Sequence, residues 1–178
     1  MSKLTRMARF FAIGGVGFIM LGMICFAAGG RINSTRSIPL GLYWLTDSPV
    51  KKGEYVIFCP PESSLFDEAR ERGYISAGFC PGDYGFMMKR VLAAANDHVE
   101  MAGEGVCING APVPESRSMK ADKAGRAMPH YPSGTYTLGK SELLLMSDVS
   151  STSFDGRYFG PVELSQIKGV IRPVLTWD

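Results

Sequence analysis

The 178-residue sequence is poor in the residues that most often mark an active site. It has two histidines, His98 and His130, and neither stands at metal-ligand spacing from a cysteine. No Cys-x-x-Cys, His-Glu-x-x-His or Gly-x-Ser-x-Gly occurs, and no glycine-rich phosphate loop. A zinc centre, a histidine-based triad and nucleotide chemistry therefore have no foothold, and no cofactor or metal is expected. Charge of one sign is also scarce. Nineteen Lys and Arg face 17 Asp and Glu, a net +2, too weak a positive field for direct nucleic-acid binding. With 46% hydrophobic and 20% charged residues the chain is globular rather than disordered.

Its charge is unevenly placed. Residues 1–31 carry Lys3, Arg6, Arg9 and Arg31 without an acid, and the remainder is mildly acidic. Between Phe10 and Ala28 lie 19 uncharged residues, enough helix to span about 28 Å, close to the hydrocarbon core of a bilayer. The expected organisation is a basic cytoplasmic tail (1–9), a transmembrane anchor or signal segment (10–30) and an exported domain (31–178). Basic residues before the span place the N-terminus inside. A cleaved signal peptide ending near Ala28-Gly29-Gly30 is the competing reading.

Beyond residue 40 the apolar runs are short and punctuated by Gly, Pro, Asn and Asp, which predicts a mainly β domain. Strands are expected at 41–45, 55–58, 84–92, 98–101, 105–108, 111–113, 135–138, 142–146 and 167–174, with a hairpin turn at Asn109-Gly110. Residues 62–73 alone have helical periodicity and read as a surface insertion; residues 114–134 read as a long loop. Cys59 and Cys80 stand beside prolines at the two ends of the insertion, so a disulfide between them is the preferred pairing in an oxidising compartment; three free thiols outside the anchor is the alternative.

Three clusters can carry chemistry. Ser37 lies a few residues past the apolar run, near Ser34 and Thr35. Lys89 shares a strand face with Met87 and Val91. Burial there favours the neutral amine, which can take the proton of a serine hydroxyl; a lysine that snorkels to the sheet rim is the plain alternative. Finally, residues 147–161 are dense in hydroxyls and hold Asp155 and Arg157, which in an extended segment would point the same way and could pair.

In this order the clusters resemble the type I signal peptidases, membrane-anchored enzymes with a Ser–Lys dyad. Met88-Lys89-Arg90-Val91, followed by Asn96-Asp97-His98-Val99-Glu100 and Ile108-Asn109-Gly110, is similar to that family's lysine box and hairpin, and residues 153–162 (SFDGRYFGPV) to its last box. Ser37-Ile38-Pro39-Leu40-Gly41-Leu42-Tyr43-Trp44 and the insertion resemble the conjugative-transfer branch, the TraF-type peptidases. The sequence departs from the wider family in placing proline second after the serine and Ala94-Ala95-Asn96-Asp97 after the lysine box.

The resemblance implies a signal-peptidase-like β domain, Ser37 as nucleophile and Lys89 as general base. It further implies that Ser153 aims the lysine, that Asp155 and Arg157 form a supporting pair, and that the Ser37 N–H, with the Thr35 hydroxyl, serves the oxyanion. It implies a pilin precursor as substrate, the bacterial inner membrane as location with the catalytic domain in the periplasm, and other pilus-assembly proteins as partners. A general signal peptidase and a non-enzymatic scaffold of the pilus machinery are the other functions open to such a chain.

Overall fold

The computed structural model describes residues 3–177. Of the expected cytoplasmic tail, the amino terminus and the side chains of Lys3 and Arg6 lie outside the described residues. Helix α1 (Lys3–Ala27) presents Phe10, Phe11, Ile13 and Phe18 to the outside, and beyond Arg9 its outward side chains are apolar on every face. It has the length and composition to cross a bilayer.

No linker separates helix from sheet. Gly29, at φ +108°, makes the turn, and its carbonyl already accepts from the Leu45 N–H at 2.9 Å. Strand β1 (Gly30–Asn33) then pairs antiparallel with β2 (Gly41–Thr46). Arg31 donates to the Phe26 carbonyl at 2.7 Å and lies 4.1 Å from the centre of the Phe26 ring, tying off the C-terminal end of α1.

The remaining elements follow as β3 (Tyr55–Phe58), α2 (Ser64–Glu71), β4 (Ala77–Cys80), β5 (Met87–Ala93), β6 (His98–Ala102), β7 (Gly105–Ile108), β8 (Ala111–Pro112), β9 (Gly134–Thr137), β10 (Glu142–Met146), α3 (Gly156–Phe159), β11 (Val162–Glu163) and β12 (Ile167–Thr176). They build a seven-stranded antiparallel sheet in the order β1-β2-β12-β3-β5-β10-β11 and a four-stranded sheet β8-β7-β6-β9. The domain is thus mainly β, as the punctuated apolar runs predict.

Strand β5 is paired on both edges, with β3 and β10. Its side chains alternate with strand period: Met87, Lys89, Val91 and Ala93 are buried, and Met88, Arg90 and Leu92 only partly so.

Four expectations need correction. The strand expected from Tyr84 begins at Met87, because the Gly85 N–H turns back to the Ser76 carbonyl (2.6 Å) and Tyr84 bridges to Ala77 and Cys80. The stretch after Ala28, where no strand is expected, holds strand β1. The insertion is not a surface appendage: α2, capped by the Ser63 hydroxyl, buries Phe66 and Ala69 in the main core. The Phe66 ring meets Phe159 at 5.3 Å, and Phe154 and Tyr84 at 6.2 Å. The loop after Pro112 is not featureless, for Ala121 and Ala127 bridge across a tight turn.

Cys59 and Cys80 are joined by a disulfide that closes the insertion. Cys25 and Cys107 are free and half-buried.

Candidate active site

Ser37 sits in the turn between β1 and β2, and the turn's shape comes from Asn33, the last residue of β1. Asn33 is 4% exposed. Its Nδ2 group lies 2.7, 2.9 and 3.0 Å from the carbonyls of Thr35, Ile38 and Pro39, so two hydrogens are shared among three acceptors. Its Oδ1 accepts from the Thr35 N–H (3.3 Å) and the Thr35 hydroxyl (3.1 Å). The buried Ile38 and a hydrogen bond from the Tyr43 hydroxyl to the Pro39 carbonyl (2.6 Å) pin the far side. Ser37 is left half-buried at the crest, with Thr35 Oγ1 3.4 Å from its Oγ. Sequence reading passed over Asn33, since no periodicity marks a side chain that serves carbonyls two to six residues ahead.

Lys89 is 2% exposed, in register with Val56 of β3. Its Nζ donates to Ser153 Oγ at 2.7 Å. Burial lowers its pKa from 10.5 to about 8; Asp155 pulls it back up and Arg157 pushes it further down. At pH 7, one unit below that value, about a tenth of the molecules hold the free amine, whose lone pair can accept a proton.

Ser153 is held from behind. Asp155 and Arg157, 0% and 2% exposed, form a bidentate pair with Nε–Oδ1 and Nη2–Oδ2 both at 2.8 Å. The pair does not arise from an extended segment, as the sequence suggested. Asp155 caps α3, its Oδ1 accepting from the Arg157 N–H, while its Oδ2 accepts from the Ser147 N–H at 3.0 Å. The guanidinium then donates to five carbonyls: Ser150, Ser151 and Ser153 of its own loop, and Glu115 and Arg117 of the preceding long loop.

Ser37 and Lys89 line one cavity of about 440 Å³ and are thus brought together, with Met87, Phe86 and Ile75 among its apolar walls. Ser37 and Ser153 line a second cavity of about 540 Å³. Tyr74 and Phe154, ring centres 5.5 Å apart, border both and partition the cleft at Ser37. Neither histidine lines these cavities. His98 opens β6, with its Nδ1 2.8 Å from Thr137 Oγ1, and His130 is exposed on a loop. Among the described residues no cluster of His, Cys, Asp and Glu is arranged to hold a metal.

The chain is 61% identical over 174 residues to a plasmid transfer protein TraF of Escherichia coli, spanning 98% of each chain. It is 38% identical over 184 residues to a conjugal transfer protein TraF of Agrobacterium fabrum, covering 100% of this chain and 99% of that one. A crystal structure of a signal peptidase I from Enterococcus faecalis overlaps 71% of this chain and 100% of its own, at 17% identity and a TM-score of 0.41. The model of the signal peptidase family, peptidase S26, matches residues 4–177, and the chain belongs to that family.

Proposed function

We propose that this chain is a membrane-anchored serine endopeptidase and transpeptidase that processes a pilin precursor for conjugative pilus assembly. Ser37 is its nucleophile and Lys89 its general base. The observation that carries the reading is Lys89 itself. A lysine 2% exposed, hydrogen-bonded to a buried serine and lining one cavity with a second serine, has no structural task that Met or Leu would not perform better.

In the reaction, the neutral Lys89 amine takes the Ser37 proton as Oγ attacks the scissile carbonyl. The Ser37 N–H, with Thr35 beside it, faces the developing oxyanion, where one such donor is worth about 3–4 kcal/mol. The Lys89 ammonium then returns its proton to the leaving amine, and an acyl-enzyme remains on Ser37. Water releases a linear pilin. An amine of the pilin itself would instead join its ends and regenerate the serine. The names of the TraF relatives support the conjugative setting and helix α1 supports a membrane anchor; the reading sets that anchor in the inner membrane, with the catalytic domain in the periplasm beside other pilus-assembly proteins.

The test is co-expression with the cognate pilin precursor and mass spectrometry of the product. The expected product is trimmed, and one water lighter than its linear form if the ends are joined. Ser37→Ala and Lys89→Ala should each lower processing by at least about a thousandfold at unchanged protein level. Identical pilin in all three samples would leave a scaffold.

A further inference from the structure

The two cavities at Ser37 differ in charge. Lys89 is the one charged residue lining the smaller. The larger is lined by Arg36, Lys123 and Arg126 against a single acid, Asp122.

That acid is already occupied. Asp122 Oδ1 accepts from the N–H groups of Ala124 and Arg126, both at 2.9 Å, and its Oδ2 lies 2.7 Å from Arg126 Nε and from the Tyr74 hydroxyl. These bonds fold the 121–127 turn and fasten it to the disulfide-closed insertion, where Arg72 also donates to the Ala127 carbonyl at 2.6 Å. Arg126 is neutralised in the process.

Arg36 and Lys123 are left over. Both are exposed, and neither has a hydrogen-bond or ion-pair partner among the described residues. Arg36 adjoins the nucleophile in sequence, and Lys123 is carried on the clamped turn across the cavity. Two unneutralised cations on separate walls, beside a reactive serine, suit an anion that arrives with the substrate.

We infer that this larger cavity is a subsite for a carboxylate of the substrate chain, bound between Arg36 and Lys123. The inference rests on the assignment of Ser37 as nucleophile. The carboxylate is either an Asp or Glu side chain close to the scissile bond or the C-terminus of a short leaving peptide; both present the same group to the two cations.

The experiment uses the full chain in detergent and synthetic peptides spanning the pilin processing site located by mass spectrometry. Each peptide is made with Glu or Gln at successive positions around the bond, and as free acid or carboxamide. The quantity read is the ratio of kcat/KM for the charged peptide to that for its neutral twin. In the native protein this ratio is expected to be roughly three- to tenfold at low salt, the scale of two solvent-screened charge contacts, and to shrink as salt is added. Arg36→Gln and Lys123→Gln should each reduce it, and together bring it to about one. A preference confined to the Glu series identifies a side chain; one confined to the acid series identifies a terminus.

Equal cleavage of all twins by the native protein, or a preference untouched by both substitutions, would overturn the subsite while leaving the peptidase intact. No Ser37-dependent cleavage of any peptide would overturn the peptidase reading first. If the substitutions instead slow both twins equally, the two cations do not read the charge of the substrate and the subsite is again wrong.

Discussion

Two turns converge on the cleft that Lys89 lines, and they are built by opposite means. The 147–157 segment is organised around a buried ion pair, with one guanidinium serving five carbonyls and one carboxylate capping a helix. The 33–39 turn is organised by a single neutral amide, Asn33. The first turn sets the environment of the lysine, where a fixed neighbour and a dry surround decide the protonation state. The second carries the half-buried Ser37, the proposed nucleophile, and remains open on its outer side. Charge is spent where rigidity and field are needed, and a neutral group suffices where the substrate must gain access.

Breaking the charged side should have the largest effect on stability. Arg157→Ala leaves Asp155 buried without its counterion and frees five carbonyls, a loss of about 3–5 kcal/mol. It should appear as a steep fall in the thermal unfolding midpoint of the full chain in detergent. Asp155→Asn, which keeps a capping oxygen, should lose less.

Next comes the titration of Lys89. Its folded pKa, about 8, lies below the 10.5 of an unperturbed lysine, so between those values the unfolded chain holds a proton that the folded chain lacks. Stability therefore rises with pH across that window, by about 3 kcal/mol in all at 1.36 kcal/mol per unit. Lys89→Met has no such dependence. Its stability advantage should be full below pH 8 and disappear towards pH 10.5 in paired denaturant titrations. Over the same range the activity of the native protein should climb nearly tenfold per unit below about pH 8 and level above it.

The smallest effect sharpens the contrast. Asn33→Ala should destabilise by about 1–3 kcal/mol and lower kcat without moving the midpoint of the pH–activity profile, since Lys89 is held from the other turn. Asn33→Asp, which turns a carboxylate on three carbonyl oxygens, should be worse than alanine by the same assay. A shifted midpoint in either variant would show that the two turns are not independent.

Much of this was legible in the residues. Strand alternation put Lys89 on one face with Met87 and Val91, but only the structure shows that this is the buried face of β5; the punctuated apolar runs pointed to a mainly β domain. The apolar run before Ala28 stood out by length alone. What stayed hidden depends on tertiary closure. Asn33 serves carbonyls that approach only when the chain doubles back, and the residues before Ser37 become a strand because β2 returns alongside them. Helix α3 carries one local signal, Asp155 directly before it as an N-cap, and its four residues are too short to show a period. The clasp between Tyr74 and Asp122 joins an insertion and a loop 48 residues apart, which no local pattern connects.

The direct passage from α1 into β1 has a geometric consequence. Gly29 leaves no slack, and Arg31 fastens the strand to the helix end, so the sheet cannot swing freely about the anchor. With a bilayer around α1, the serine is carried on one four-residue strand, about 13 Å of chain, and a turn. With Ser37 as the proposed nucleophile, the molecule would then work as a depth gauge, reaching bonds at one height above the lipid and sparing those held at another depth.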